Sequence, residues 1–473
     1  MTTEGSPRLD YMPGIDGLRA VSVLLVLVFH AGLNWLPGGF VGVSVFFTLS
    51  GFLITALLVT EFENTGRVSL VGFWGRRFRR LVPAALLTIG AVCVWSRFGG
   101  PTGPSLRGDA VAAVLNVANW RSAFGERTYA DLFVGPSPLL HLWSLAIEEQ
   151  FYLVLPGVLI AVWAVGVRRR GMVIGFMVAA IGCGLAGFFT VSNSLAYYGT
   201  HVRAAELFTG CALGAAVGGR LTSIPRFVAR TLPLVAVGGL AVLGVVARFA
   251  SASNDVLVHG GLAALSLASC AAVLGAALPG PLSSVLGWWP VRQLGRVSYG
   301  VYLFHWPVFV EFHERGHTGL VAMVIATAIT IGLAAVSFVL IEMPIRARRR
   351  LGGRAALVGY PTGAAVVVSL ALLFAPVDAG DARFVTSAPM TPVSFTVPAT
   401  AAPSLRLPRV LVIGDSTGAS LQESLAQAAS GTFDVVGASV FVCPLVRVDA
   451  VLLGEGLEYD PRPASTSKST FRG

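Results

Sequence analysis

The chain has 473 residues, of which 55% are hydrophobic and 12% charged, and its mean hydropathy is +0.75. A soluble chain carries about twice that charged fraction, so the composition excludes a soluble multidomain protein, a disordered chain and a coiled coil. The formal net charge is +10, but the basic residues stand in short clusters between apolar runs. That pattern favours anchoring of membrane loops over nucleic-acid binding, and predicts a multi-span membrane protein in the lipid bilayer.

About eleven segments are apolar enough to cross a hydrocarbon core that needs roughly 20 residues per helix. The stretch 105–124 is less hydrophobic, which predicts a surface or re-entrant helix. Residues 1–19 include Asp10, Asp16 and Arg19, and no small-residue cleavage site follows the first apolar run, so we expect no cleavable signal peptide. The eleven candidate spans are 20–36, 41–60, 81–97, 145–167, 171–190, 204–219, 231–249, 258–278, 297–312, 319–342 and 355–375.

The arginine clusters orient these spans. If the N-terminus is cytoplasmic, the clusters at 76–80, 168–170 and 346–350 all fall in loops on the same side. Positive loops stay in the cytoplasm. We therefore expect a plasma-membrane protein with a cytoplasmic N-terminus and with everything after residue 376 outside.

The C-terminal part changes character. Residues 377–408 are rich in Ala, Pro, Thr and Ser without an apolar period, which is typical of a linker. The run from Arg409 to Ser416 predicts a buried strand and a tight turn, followed by a helix over 420–429 and a second strand over 433–442. This is the start of an α/β domain.

Ionisable groups in apolar spans are costly to insert and indicate function by default. Arg19 and His30 are eleven residues apart, so they share one face of a helix and are separated by roughly 16 Å along its axis. Asp16 lies near the same face. The alternatives are a pore-facing His30 bonded to a backbone carbonyl, and an Arg19 that only anchors the span.

Arg76, Arg79 and Arg80 can form one positive helix surface at the cytoplasmic end of the third span. Guanidinium groups suit phosphates, and a cytosolic donor such as acyl-coenzyme A carries several. Topological anchoring explains the same charges equally well.

Ser144, Glu148 and Tyr152 are spaced i, i+4, i+8 at the start of the fourth span, and His141 and Glu149 adjoin them. Carboxylates that enter a membrane helix need a partner. The alternative is a helix start capped by Ser144.

Two further segments are notable. Ser50-Gly51 lies inside an apolar run, which predicts close helix packing. Tyr302 precedes His305 by one helical turn in a later span. The five cysteines are scattered and form no CxxC or Cys/His cluster, so we expect no metal and no disulfide framework.

Several of these blocks together resemble the acyltransferase-3 family of integral membrane acyltransferases. The blocks keep their order and spacing over residues 11–350. They are Asp16-Gly17-Leu18-Arg19 with His30, Phe46-Phe47-x-Leu49-Ser50-Gly51-Phe52, the arginine-rich segment 76–83, His141-x-Trp143-Ser144-Leu145 with Glu148-Glu149-Gln150-Phe151-Tyr152, and Ser298-Tyr299-Gly300-x-Tyr302-Leu303-x-His305.

The resemblance implies an all-α multi-pass membrane protein with about ten core helices over 1–350 and an extra span over 351–376. It also implies transfer of an acyl group, commonly acetyl, from acyl-coenzyme A to a hydroxyl of a cell-envelope or secreted carbohydrate or glycolipid.

Members with the extra span carry an outer domain of the SGNH hydrolase type, and Gly414-Asp415-Ser416 resembles its first block. No histidine follows His317 in this chain. We therefore expect 409–473 to be a partial α/β SGNH-like segment in which Ser416 lacks its base.

The leading hypothesis is thus an O-acyltransferase. His30 would be the base or acyl relay, oriented by Asp16 or Glu148 with His141 nearby, and Arg19, Arg76, Arg79 and Arg80 would hold the donor. Ser144, Glu149, Tyr302 and His305 are further candidates. The competing hypotheses are a transporter or flippase with a His/Glu proton relay, and a hydrolase built on Ser416.

Overall fold

The chain divides into two compact units, Met1–Val385 and Thr386–Gly473, and each is described by itself. The second unit is described only at two strands. The computed structural model describes residues 10–32, 35–103, 105–125, 136–218, 226–251, 254–347, 353–376, 409–414 and 434–439.

The described part of the first unit is helical, with short π-helical turns at Leu257–Gly261 and Phe338–Glu342. The helices are Pro13–His30 (α1), Val41–Thr65 (α2), Leu70–Arg97 (α3), Leu106–Val114 (α4), Ala118–Phe124 (α5), Leu142–Ala164 (α6), Arg169–Phe189 (α7), Asn193–Tyr198 (α8), Thr200–Val217 (α9), Arg226–Phe249 (α10), Leu262–Ala277 (α11), Pro281–Leu286 (α12), Trp289–Glu314 (α13), Gly319–Ser337 (α14), Met343–Ala347 (α15) and Gly353–Phe374 (α16).

Eight stretches of helix within the described residues are long and apolar enough to cross a membrane by length and composition. They comprise Thr231–Phe249 of α10 and the whole of α1, α2, α3, α6, α7, α11 and α14. Each of the other three predicted spans also coincides with a helix, namely α9, α13 and α16. Charged residues in α9 and α13 lower their hydropathy. The protein is therefore a multi-pass helical membrane protein.

The first helix differs from its predicted span, 20–36. It begins at Pro13, whose fixed φ angle favours the first turn of a helix, and it ends at His30. Gly32 follows with a positive φ of 69°. Asp16 and Arg19 therefore lie inside the helix, and His30 is its last residue.

The third helix also begins earlier than its predicted span, 81–97. The hydroxyl of Ser69 accepts a hydrogen bond from the backbone N–H of Gly72 and caps a helix that runs from Leu70 to Arg97. The orientation argument assigned the arginines at 76–80 to a loop, whereas their spacing predicted one helix surface. The structure places all four in the second and third turns of α3, so each points in a defined direction around the helix axis.

Residues 105–124 form two short helices, α4 and α5, that meet at Asn116, a non-glycine residue with a φ of 57°. The hairpin lies along α16. Arg107 donates hydrogen bonds to the carbonyls of Leu372 and Ala375, and the hydroxyl of Tyr360 donates to the carbonyl of Val114. These bonds hold the hairpin against the last described helix of the unit.

Close packing at Gly51 is confirmed. A Cβ atom placed on Gly51 of α2 would lie 2.0 Å from the carbonyl oxygen of Leu207, and one placed on Gly210 of α9 would lie 2.0 Å from that of Thr48. The two helices therefore approach to backbone contact, as small residues permit in membrane bundles.

The second unit contains two described strands, Arg409–Gly414 (β1) and Asp434–Ser439 (β2). They pair in parallel, with Arg409 opposite Asp434 and Gly414 opposite Ser439. The predicted linker, the helix over 420–429 and Ser416 lie outside the described residues, so the SGNH-like character of this segment stays a prediction.

Candidate active site

A polar cavity lies among α1, α2, α3, α6 and α13. Seven apolar side chains complete its wall, and ten polar ones line it. The polar ones are Arg19, Ser50, Arg77, Arg80, Ser144, Glu148, Tyr152, Ser298, Tyr299 and Tyr302. Such a concentration of polar groups inside a membrane bundle marks a functional site.

Three guanidinium groups face this cavity, from Arg19, Arg77 and Arg80. The Nε atoms of Arg19 and Arg80 are buried without a hydrogen-bond partner among the described residues. The Arg77 guanidinium lies 5.2 Å from the centre of the Tyr152 ring. Buried donors without acceptors are costly, and an anion in the cavity could accept hydrogen bonds from these groups.

The arginines of α3 point in two directions. Arg77 and Arg80 line the cavity. Arg76 instead forms an ion pair of 3.3 Å with Glu61, and 48% of its side chain is exposed. Arg79 is also absent from the cavity wall. Of the three α3 arginines proposed from the sequence, the structure brings only Arg80 to the cavity, and it adds Arg77.

Glu148 supplies a carboxylate opposite these arginines. Its two oxygens accept hydrogen bonds of 2.9 Å from the hydroxyls of Ser50 and Tyr152. Ser144, Glu148 and Tyr152 all line the cavity, so the predicted common face of α6 is confirmed. The capping alternative is wrong, because His141 occupies the N-cap position and no side chain caps the helix there. Glu149 is not part of the wall.

Three histidines converge beyond one end of the cavity. Nδ1 of His30 on α1 lies 3.2 Å from Nε2 of His305 on α13. The ring of His141 lies 5.5 Å from that of His305. His141 and His305 are buried, whereas His30 is half-buried and also contacts the ring of Trp306.

The hydrogen bonds define the tautomers of this group. Nδ1 of His305 lies 2.6 Å from the carbonyl oxygen of Tyr302. A carbonyl only accepts, so this nitrogen carries the hydrogen, and Nε2 of a neutral His305 accepts from Nδ1 of His30. Nε2 of His30 then keeps a free lone pair. By the same argument His141 donates from Nε2 to the carbonyl of Leu303, at 3.1 Å. Its Nδ1 is buried and has no hydrogen-bond partner in the part of the chain that the structure describes.

Asp16 lies at the other end of α1. Its carboxylate accepts a hydrogen bond of 2.8 Å from Tyr11 and lies 3.9 Å from Arg19. Fourteen residues of helix, or roughly 21 Å, separate it from His30. Neither Asp16 nor Glu148 contacts His30 among the described residues. His30 is instead held by His305 and by a hydrogen bond with the backbone of Val26.

A buried ion pair on α9 was not anticipated as a pair. Nε of Arg203 lies 2.8 Å from Glu206, and both side chains are 1% exposed. The Arg203 guanidinium also lies 5.3–5.4 Å from the ring centres of Phe47, Trp143 and Tyr197. Since Phe47 lines the cavity, this pair supports its wall.

The sequence reasoning also missed Ser50 and Arg77. Ser50 was assigned to packing because it adjoins Gly51. Its partner Glu148 is 98 residues away, and local spacing carries no signal for such a contact. Arg77 could have been found from its i, i+3 spacing to Arg80, which places both on one face of the helix.

The cavity and the histidine group lie within a part of the chain that is similar to known proteins. A family model described as an acyltransferase domain matches residues 12–342. A similar curated protein is the putative peptidoglycan O-acetyltransferase YrhL of Bacillus subtilis (strain 168). It is 38% identical over 350 residues, which are 71% of this chain and 55% of that protein.

Two further relatives carry related names. The peptidoglycan O-acetyltransferase OatA of Listeria monocytogenes is 38% identical over 353 residues, or 71% of this chain and 56% of that protein. The O-acetyltransferase OatA of Staphylococcus aureus (strain NCTC 8325 / PS 47) is 34% identical over 351 residues, or 72% of this chain and 58% of that protein. The aligned part thus covers little more than half of each relative. No solved structure matches the chain significantly.

Proposed function

The chain belongs to the acyltransferase family described by that model, and we propose that it moves an acetyl group from acetyl-coenzyme A to a hydroxyl group of peptidoglycan. The observation that carries the proposal is the arrangement of three half-buried guanidinium groups on one cavity, whose Tyr302 lies beside the histidine group. The acceptor class follows the names of the relatives, which are peptidoglycan O-acetyltransferases.

The arginine end of the cavity suits the phosphates of the donor. Arg19, Arg77 and Arg80 face one acidic side chain of the wall, Glu148. A bound diphosphate would accept from the guanidinium nitrogens that have no partner among the described residues, and such charge-assisted bonds are the strong ones. Arg76 and Arg79 do not line the cavity, so we assign the donor site to the other three arginines.

The distance between the two ends suits the rest of the donor. Arg19 and His30 are separated by eleven residues of α1, or roughly 16 Å along the axis. A pantetheine arm is about as long as five extended residues at about 3.3–3.6 Å each. Phosphates at the arginines would therefore bring the thioester close to His30.

The chemistry at that end is general base catalysis. Nε2 of His30 takes the proton of the acceptor hydroxyl while its oxygen attacks the thioester carbonyl. The tetrahedral intermediate then collapses, the carbon–sulfur bond breaks, and His30 returns the proton to the leaving thiolate. His305 holds the imidazole in the tautomer that this step requires.

The proposed orientation of the chain places the donor and the acceptor on opposite sides of the membrane. The arginine clusters favour a cytoplasmic N-terminus, which turns the start of α1 toward the soluble donor and its end, with His30, toward the cell wall. The donor would enter from the cytoplasm, and the acceptor would meet its acyl group on the outer side.

The test uses purified full-length protein in lipid nanodiscs with acetyl-coenzyme A and a soluble peptidoglycan fragment. We expect free coenzyme A and acetylated glycan in equal amounts, measured with a thiol reagent and by mass spectrometry. A transporter or flippase, in which Glu148 and the histidines would relay protons, would release no coenzyme A. That result would refute the proposal.

A further inference from the structure

A second group of arginines lies around one aromatic ring, that of Phe338. The Arg296 guanidinium lies 6.0 Å from the centre of this ring, and the Arg346 guanidinium lies 5.4 Å from it. Arg346 also forms an ion pair of 2.7 Å with Glu342. We call these four residues the rim cluster. Within it, two positive charges are balanced by one negative charge.

The rim cluster adjoins the arginine end of the cavity. Arg80, which lines the cavity, lies within electrostatic range of both Arg346 and Glu342. Its helix, α3, packs against α15, which contains Arg346. On α13, Arg296 precedes the cavity-lining Tyr299 by three residues, or roughly 4.5 Å along the axis. The positive charge of the cavity therefore continues into the rim cluster.

The rim cluster and the histidine group lie at different levels of the helices. Arg296 and His305 are nine residues apart on α13, or roughly 14 Å along its axis, and the cavity-lining Tyr299 lies between them. The start of α1 lies at the level of Arg296, because a Cβ atom on the adjoining Gly295 would lie 1.7 Å from the carbonyl oxygen of Asp16. The order along both helices is thus rim cluster, cavity, histidine group.

The arginines of the rim cluster can bind a further anion. Arg296 is exposed, and 33% of the Arg346 side chain is exposed, whereas the Glu342 side chain is 3% exposed. Among the residues that the structure describes, Arg296 donates one side-chain hydrogen bond, to Gln293, and Arg346 donates one, to Glu342. A guanidinium group has five N–H donors. The remaining donors suit the oxygens of a phosphate.

We infer that Arg296 and Arg346 bind the 3′-phosphate on the ribose of coenzyme A. The inference rests on the proposed function and adds to it. In an acyl-coenzyme A the groups follow the order thioester, pantetheine, diphosphate, ribose 3′-phosphate. The histidine group, the cavity arginines and the rim cluster follow the same order. The rim cluster therefore selects coenzyme A thioesters over thioesters that lack the 3′-phosphate.

The experiment compares coenzyme A with 3′-dephospho-coenzyme A, which lacks only this phosphate. Isothermal titration of the full-length protein in nanodiscs of phosphatidylcholine gives a discrimination ratio, the dissociation constant of the dephospho compound divided by that of coenzyme A. We expect a ratio of about ten for the wild type, which corresponds to one charge-assisted hydrogen bond. Added salt should lower the ratio, because the arginines are exposed.

Two variants test the assignment of residues. Arg296→Ala removes an exposed guanidinium group. Arg346 is replaced together with its buried partner, as Arg346→Gln with Glu342→Gln, so that no unpaired carboxylate remains and the net charge is unchanged. We expect a ratio of about three in each variant, since two arginines share the phosphate, and of about one when the variants are combined.

Two controls separate this effect from general effects of charge. Arg248→Ala is the matched control, because Arg248 lies 5.1 Å from the ring centre of Phe249 on α10 and does not line the cavity. Its ratio should equal that of the wild type. Arg77→Ala should weaken the binding of both compounds alike, because both carry the diphosphate, and so leave the ratio unchanged.

A phospholipid headgroup offers the same phosphate chemistry, so phosphatidylglycerol is tested as the second ligand. If it raises the thermal transition of the wild type but not of the combined variant, while the discrimination ratio is the same in both proteins, the rim cluster binds lipid and the inference is overturned. A wild-type ratio of about one overturns it as well.

The proposed function is tested separately by release of coenzyme A with a glycan acceptor. A wild type that transfers acetyl groups, with a ratio that the rim variants leave unchanged, overturns the present inference alone. A wild type whose ratio depends on Arg296 and Arg346, but which releases no coenzyme A from acetyl-coenzyme A, refutes the proposed function and supports the nucleotide site.

Discussion

His305 contacts one ring nitrogen of His30, Nδ1, and leaves the other, Nε2, open to the acceptor. The contact of 3.2 Å between Nε2 of His305 and Nδ1 of His30 joins α13 to α1 across 275 residues of sequence. The carbonyl of Tyr302 orients the ring of His305, which in turn contacts the ring of His30 on another helix. A neighbouring hydrogen bond commonly defines a catalytic imidazole in this way.

The first prediction concerns this pair. His30→Ala removes the proposed base, and loss of a general base costs about 10²–10⁴-fold in rate. We expect the turnover of purified protein to fall by that factor while its thermal transition and its yield in the membrane stay close to wild type. His305→Phe keeps the base but removes a hydrogen bond that fixes its tautomer, so we expect a smaller loss of turnover. Near-normal turnover in His30→Ala would contradict the assignment.

The second prediction separates two neighbouring arginines. Arg77→Ala should weaken binding of acetyl-coenzyme A by about 1.5–3 kcal/mol, the worth of one charge-assisted hydrogen bond. Arg76→Ala is the control, because its exposed ion pair with Glu61 is worth about 0–1 kcal/mol. Isothermal titration with coenzyme A measures both. Equal losses in the two variants would show that these arginines act through net charge.

The third prediction concerns the buried pair on α9. Glu206→Ala leaves the Arg203 charge buried without its partner, which we expect to cost about 3–5 kcal/mol of stability. Replacing both residues, as Arg203→Met with Glu206→Leu, should recover much of that loss. Glu63→Ala is the control, since Glu63 is 39% exposed in its pair with Arg169. The readout is the thermal transition in detergent. A Glu206→Ala transition equal to that of the control would refute the prediction.

The fourth prediction tests the contact between α2 and α9. In Gly210→Ala the new Cβ would lie 2.0 Å from a backbone oxygen, so the helices must separate. Overpacking of this kind costs about 1–3 kcal/mol. Gly182→Ala on α7 meets no atom within 4 Å, and it should be neutral or stabilise by up to about 1 kcal/mol through helix propensity. Thermal unfolding that ranks the two variants in the opposite order would contradict the close approach.

The sequence alone was sufficient to predict the helices and one polar face. Hydropathy located every long helix, and the i, i+4, i+8 spacing of Ser144, Glu148 and Tyr152 predicted their common direction. It was insufficient for α3, where Arg77 rather than Arg76 faces the cavity. In a membrane bundle the lipid-facing side of a helix is as apolar as the core side, so hydrophobic periodicity does not tell which face points inward.

The sequence also did not predict the contacts between segments that are far apart in the chain. Ser50 meets Glu148, and His30 meets His305, through the packing of whole helices. The sequence indicated that these polar residues needed partners. It assigned the orientation of His30 to Asp16 or Glu148. For Asp16, a helical projection shows the shared direction around the axis but not the roughly 21 Å that separate the two residues along it.

The hairpin of α4 and α5 has a consequence for the order in which the protein is built. Arg107 bonds to the carbonyl of Ala375, 268 residues later, and Asn116 bonds to Tyr360, 244 residues later. At a synthesis rate of about 5–20 residues per second, α16 leaves the ribosome tens of seconds after the hairpin. Until then these polar groups must stay hydrated. The hairpin therefore reaches its native position only after translation of α16, which makes its docking a late event in biogenesis.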